Sequence, residues 1–419
     1  MDFFAVGAIF YLFITIVMVY YRPELIVGIQ LFSTPIIGNA LSNMGLQAGA
    51  VIVIFSFAVI SFTINIIRNK RVNILPSSYL EICVVILFLW VLITLTYTPS
   101  ISYGTSKLFL LVVVCFPCVY MARLYCDTPT KIHKIFTTVG WYAIFLLVYY
   151  SAYVIVDDTG DTIRIRSAFF GPLSLGYVVA SMVPFIFYIA ATAKFPLLKY
   201  IPIAAIPAAI LLIIETGSRG PLLAIIVASV ISLLRFQYII RVFSGFAVVL
   251  TLGFLYLSSQ DLTENKGLGR ILGETGTAGD SSDTRIALFS SAREQFMQYP
   301  LFGQGSGSFS YFFNSTDERI YAHNLYLEIA GEFGLVGLLI FFTILTLCLI
   351  QIFGLRNNSK NVYANQYWAI TSIQALFFIG FINSAVSFSL SSQRILFVSI
   401  GLLAATSFWQ AIDNRSPNN

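Results

Sequence analysis

The chain has two histidines, and one of them, His323, sits where a long polar stretch gives way to an apolar run. An imidazole with an unperturbed pKa of about 6.5 can take a proton from a hydroxyl at neutral pH. Asn324, Glu328 and Glu332 follow it every four positions and so share one face of the helix that begins there. Ionisable groups inside a span are costly and usually face a cavity; hydrogen bonding to a neighbouring helix is the competing reading for both glutamates. Arg219 lies in IIETGSRGPLLA, a short break between two apolar runs. There an arginine is expensive unless it meets an anion, or Glu215 four residues earlier. Arg285 and Arg293 fall on a predicted short helix inside the polar stretch, and Arg164 and Arg166 stand in DDTGDTIRIRSAFFGP beside Asp157, Asp158 and Asp161. Mutual solvated pairing is the competing reading for that last group, and adjacent aspartates without ligand spacing do not build a metal site. Guanidinium forks suit phosphate oxygens, and a diphosphate can leave unprotonated if its charge is stabilised. The set fits displacement of a diphosphate by an alcohol, with no metal and no cofactor expected. His323, Arg285 and Arg219 are the candidates for catalytic roles, and Arg164, Arg166, Arg293, Asn324, Glu328 and Glu332 the candidates for substrate binding.

The elements that must hold these residues are membrane helices. Of 419 residues, 58% are hydrophobic and only 10% charged, with a mean hydropathy of +0.85. Soluble domains carry about 25% charge. Apolar runs of the length needed to cross a bilayer occur at about 3–21, 24–44, 46–67, 79–97, 107–125, 135–156 and 171–192. More follow at about 200–215, 220–235, 240–257, 325–353, 366–389 and 393–411. The reading is an all-α polytopic membrane protein of 12 or 13 spans. An N-terminal bundle covers 1–257, a long polar loop with short helices 258–323, and C-terminal spans 324–419. Nothing marks the first run as a cleaved signal, so it is read as a retained span. If the long loop faces outward, 14 Lys and Arg fall in the inner short loops and 5 (Lys107, Arg164, Arg166, Arg219, Arg394) in the outer ones. The positive-inside rule then puts the loop on the non-cytoplasmic side.

Within that loop a helix is predicted over 284–298, capped by Asp283 and stopped at Tyr299-Pro300. Its Arg285, Leu288, Phe289, Ala292 and Phe296 share one face that lies on the membrane or on the bundle. GQGSGS at 303–308 reads as a flexible turn. His133, in TPTKIHK, reads as a solvated loop residue on the inner side. Cys115 and Cys118 form a CxxC inside an apolar run and read as small packed side chains.

Three blocks in order, TGSRGPLLA, DTRIALFSSAREQFMQYPLFGQGSGSF and AHNLYLEIAGEFGLVGLLIFF, resemble the shared signature of the O-antigen ligase and O-antigen polymerase superfamily over roughly 215–345. The resemblance implies a bacterial inner-membrane glycosyltransferase with a GT-C-like fold and its long loop in the periplasm. Such an enzyme takes glycan from undecaprenyl diphosphate and passes it to an acceptor hydroxyl. The acceptor would be a second lipid-linked glycan (a polymerase) or lipid A–core (a ligase), and a chain-length regulator is a further candidate partner. No nucleic acid is expected. The family's arginines fall on Arg219 and Arg285 and its HN histidine on His323; Leu173 departs from the commoner pattern, in which Asn follows the Pro. The polymerase is the first reading and the ligase the second. A lipid-linked oligosaccharide flippase is a third, weakened because no related halves are visible.

Overall fold

The computed structural model describes residues 13–33, 36–37, 49–69, 76, 78–152, 154–158, 163–167, 171–233, 277–358 and 364–413. The helices are α1 (Ile26–Phe32), α2 (Gly49–Asn69), α3 (Tyr79–Thr94), α4 (Ile101–Leu110), α5 (Phe116–Tyr125) and α6 (Pro129–Ala152). They continue as α7 (Pro172–Thr192), α8 (Pro196–Glu215), α9 (Arg219–Leu233), α10 (Thr277–Gln298), α11 (Ser308–Asn314), α12 (Leu325–Asn358), α13 (Ala364–Val386) and α14 (Arg394–Asp413). Among the described residues, 7 helices are long and apolar enough to cross a membrane, and four shorter apolar ones (Pro23–Phe32, Tyr79–Thr94, Arg219–Ser232, Arg394–Ser407) pack with them. The protein is an all-α, multi-pass membrane protein. The expected span at 240–257, and most of that at 3–21, lie outside the described residues.

Three local features differ from the sequence reading. The span expected from 107 begins at Ile101, so Lys107 is not a loop residue but a fully buried one within α4. α4 runs into α5 through a π-helical turn, Leu111–Cys115. Pro117, just beyond it, has no N–H to give and its ring would meet the carbonyl four residues back, which loosens the ladder there. His133 lies in α6, not in a loop, and its Nδ1 shares a 2.6 Å hydrogen bond with the Tyr188 hydroxyl of α7. After α6 the chain forms an antiparallel hairpin, β1 (Val154–Asp158) with β2 (Ile163–Ser167), Asp157 opposite Arg164. The alternating IRIRS and the Gly-containing link carry that signal. Cys115 and Cys118 are buried free thiols, as expected of packed side chains.

The bundle has two distinct ends. At one, Ser78 and Glu81 form a capping box that starts α3, and Arg123 at the close of α5 pairs with Glu81 at 3.1 Å. At the other lie the end of α3, the start of α4, the hairpin, the α8–α9 turn and residues 299–324.

The hinge of this second end is a break in α12. Gly334 adopts φ 62, ψ −162, so Leu325–Phe333 forms a short segment before the long span. A break frees backbone groups that need partners where water is scarce. The polar loop supplies them. The N–H groups of Gln304 and Gly305 donate to the carbonyls of Gly331 (3.1 Å) and Glu332 (2.9 Å), and those of Leu335 and Val336 donate to Pro300 (2.8 Å) and Leu301 (3.2 Å). The Trp90 indole donates to the Phe333 carbonyl at 3.3 Å. From the α3 side, the Thr98 hydroxyl donates to the Ser306 carbonyl at 2.8 Å, and the Tyr97 hydroxyl to that of Phe302 at 2.8 Å.

GQGSGS is therefore a fixed turn: Gly303, Gly305 and Gly307 hold φ of 71, 102 and 77 and are buried. The loop helix α10 is longer than the predicted 284–298, beginning at Thr277 with Asp283 inside it. It ends before Tyr299 as expected, and it lies on the bundle, burying Leu288, Ala292 and Gln295.

A Cβ on Gly303 would stand 2.3 Å from the Glu332 backbone, whereas one on Gly171 would meet nothing within 4 Å. Gly303→Ala is expected to destabilise the protein by about 1–3 kcal/mol and Gly171→Ala to be near neutral. Thermal unfolding of the two variants in detergent checks the contrast.

Candidate functional site

His323 is built into the junction between the polar loop and α12. Its φ of 53 is left-handed, a conformation that costs a non-glycine residue roughly 1–2 kcal/mol. Asn324 next to it starts α12: its Oδ1 accepts from the N–H groups of Tyr326 (3.0 Å) and Leu327 (3.1 Å). The Asn324 amide also donates to the Ala385 carbonyl at 2.9 Å. The His323 ring lies 4.3 Å from that of Tyr321. Its Nδ1 is buried without a partner.

A small apolar cluster of Leu288, Ala292, Phe309 and Ala322 joins α10 and α11 to this junction. Arg285 lies one turn before Leu288 and His323 directly after Ala322, so this packing carries the guanidinium toward the ring. Burial, and then the Arg285 charge, hold the His323 pKa below its ordinary value. Burial raises the Tyr321 phenol, with the Arg319 charge opposing, Glu328 adding and Arg285 opposing. Tyr321 and Arg319, which the sequence reading passed over, therefore stand with His323 and Arg285. ERIYAHN does carry a signal for them, an arginine and a tyrosine just before the histidine, but nothing in their spacing separates them from ordinary interfacial residues.

Arg219 is exposed at the start of α9, and Gly220 beside it packs on α13, where an added Cβ would lie 2.9 Å from Val386. Asn324 bonds to the same turn of α13, so Arg219 and His323 flank one short stretch, 383–386, at the same end of the bundle. Arg293 is exposed on α10. Arg164 and Arg166 occupy β2. The strand leads into the start of α7, where Gly176 sits against Thr216 and Pro221, so the hairpin belongs to this end as well. Arg394, at the start of α14, lies within electrostatic reach of Arg319 and Tyr177.

Glu328 and Glu332 differ from the rest. Both are fully buried and show no surface to a substrate. Lys107 reaches them from α4: its ammonium pairs with Glu328 Oε1 and, at 2.5 Å, with Glu332 Oε2. The Gly307 N–H donates to Glu332 Oε2 at 3.0 Å, and the Leu390 N–H to Glu328 Oε1 at 3.2 Å. Of the two readings open in the sequence, bonding to neighbouring elements is the one the structure displays. Lys107 could not be found from the sequence, because it lies more than two hundred residues from its partners.

Asp317 ties the same loop to the same helix. Its carboxylate accepts from the Ser100 hydroxyl (2.5 Å) and from the N–H groups of Ser102 (2.8 Å) and Tyr103 (2.9 Å), capping α4. Desolvation, the largest single effect, pushes its pKa up, but these bonds together outweigh it and hold the pKa below the usual aspartate value.

Among the described residues, no group of three or more His, Cys, Asp or Glu is arranged to hold a metal ion. Residues 203–342 match the family described as O-antigen ligase. No curated protein matches the chain. The matched stretch takes in Arg219, Arg285, the glycine turn, His323 and the break in α12, which are the parts that meet at this end of the bundle. Over that third of the chain, the match supports the resemblance to the O-antigen ligase and O-antigen polymerase superfamily.

Proposed function

We propose that the protein is a membrane glycosyltransferase that polymerises lipid-diphosphate-linked oligosaccharide units, the lipid being undecaprenol, at the periplasmic face of the inner membrane. The observation that carries the reading is the convergence of His323 with Arg285 at the loop–α12 junction, on the end of the bundle where Arg219 also stands. With Nδ1 buried, Nε2 is the His323 nitrogen open to an acceptor. It takes the proton from a sugar hydroxyl as that oxygen attacks the anomeric carbon of a second lipid-linked glycan. A C–O bond forms to the acceptor and the C–O bond to the diphosphate breaks, with inversion. Arg285 and Arg219 meet the charge that develops on the departing diphosphate, where fixed cations are worth most. Arg164, Arg166, Arg293 and Asn324 complete the polar surroundings, Asn324 by fixing the backbone beside the base.

The description of the matched family favours a second reading with the same chemistry: the acceptor is lipid A–core, and the protein is a ligase. Deleting the gene separates the two. Lipopolysaccharide capped with a single repeat is the outcome expected for a polymerase. Rough lipopolysaccharide with accumulated long lipid-linked chains would make it the ligase.

His323→Ala is expected to lower transfer by about 10²–10⁴-fold, and Arg285→Ala to abolish visible product, with membrane levels of both proteins unchanged. Glycan ladders and immunoblots read this directly, and wild-type ladders from both variants would sink the assignment. The pH dependence has a definite sign. A base works when neutral, and the His323 pKa is depressed, so the acid limb of kcat/KM should fall below the ordinary histidine value. Part of that depression comes from a neighbouring cation, so Arg285→Met should move the limb to higher pH in whatever activity remains. A limb that stays in place would remove His323 as the titrating base.

A further inference from the structure

The buried Lys107–Glu328–Glu332 cluster has no role in the chemistry just described, yet it sits directly beneath it. The segment from Asp317 to Glu332 is fastened to α4 at both ends. Asp317 caps the first turn of α4, and little more than a turn later Lys107 holds Glu328 and Glu332. His323 lies between these fastenings in a left-handed conformation that local preference alone would not keep. The same carboxylates reach outward: Glu332 receives the Gly307 N–H of the glycine turn and Glu328 the Leu390 N–H of the α13–α14 connection. Four segments that bound the site thus meet at one buried lysine–carboxylate cluster.

Charge counting adds a constraint. One lysine faces two carboxylates, all fully buried, and Glu328 Oε2, Glu332 Oε1 and the Tyr103 hydroxyl have no hydrogen-bond partner. Two carboxylates in one dry site do not both ionise readily, and an uncompensated buried charge is strongly unfavourable.

We propose that Lys107 is a positioning residue of the transfer reaction, acting through a Glu328–Glu332 pair that shares a single proton, so that the cluster is neutral and fixes the backbone carrying His323. The proposal rests on the reading of His323 as the base. Lys107 is 0% exposed and touches no substrate; its influence is on geometry, where a displacement of about 1 Å can cost 10²-fold in rate.

The test uses full-length protein reconstituted in liposomes, with lipid-linked glycan extracted from a strain deleted for the gene as the probe. Folded fraction is scored by size-exclusion profile and thermal midpoint. Glu328→Gln and Glu332→Gln each replace the shared proton by an amide and leave one carboxylate for Lys107, so each should keep kcat within about tenfold. Lys107→Met, and the double Gln variant that strands the ammonium, should lose about 100-fold in kcat per folded molecule while KM moves no more than about threefold. Lys107→Met/Glu328→Gln/Glu332→Gln strands no charge; it should fold and show the same kcat loss, which keeps the question decidable if Lys107→Met does not fold. A wild-type kcat for either Lys107 variant beside an inactive His323→Ala would overturn the positioning role. Single Gln variants as damaged as Lys107→Met would overturn the shared proton. An active His323→Ala would instead refute the underlying reading of the base.

Discussion

A peptide backbone that leaves helical geometry inside a membrane bundle has to find protein partners for the groups it frees, since each one left unsatisfied costs several kcal/mol. The rest of this structure depends on how that demand is met at Gly334. The loop segment Pro300–Gly305 and Trp90 take up the freed carbonyls and N–H groups around the break. A polar loop and a membrane helix are thereby made into one piece. The break shortens the first part of α12 so that it ends near the site, and it makes 299–307 structural where a linker would have been enough to connect the elements.

Electrostatics follows the same layout. Lys107 could not remain charged and buried without carboxylates, and the carboxylates could not be buried without it. Both sides of the arrangement are drawn from elements that border the loop–helix junction: α4, the first segment of α12, the glycine turn and the α13–α14 connection. Above this neutral base the positive residues are less buried: Arg285 is half-buried, and Arg219 and Arg293 are exposed. Buried ion pairs below and solvent-reaching cations above is the division expected if the arginines are to meet an anion that comes and goes while the scaffold stays put.

Among the described residues the spans were legible because apolar runs of membrane length leave little alternative, and the end of α10 was legible because Tyr299-Pro300 closes a helix. The start of α10 was not: TAGDSSD holds poor helix formers, so nothing local announces a helix there. The hairpin was missed although IRIRS alternates, because an apolar run immediately before it absorbed Val154–Val156 into a span. GQGSGS was misread for a deeper reason. Its composition is that of a flexible turn, and its fixity comes from Thr98, Gly104, Gly331 and Glu332, which are distant in sequence. The blocks that carry His323, Arg285 and Arg219 could be picked out residue by residue; the lysine that underlies them could not, because a pairing across such a separation leaves no local trace.

The interlocking of Gly303 with the Glu332 backbone and of Gly307 with Gly104 also bears on how such proteins can be recombined. A graft that exchanged only the extramembrane loop between relatives would part it from the helix interruption it was shaped against. The natural unit of exchange is discontinuous: the stretch from Tyr299 to Gly307, the interrupted helix around Gly331–Val336 and the segment Thr98–Lys107 that opens α4 would have to travel together, while the hydrocarbon-facing remainder of each span could come from either parent.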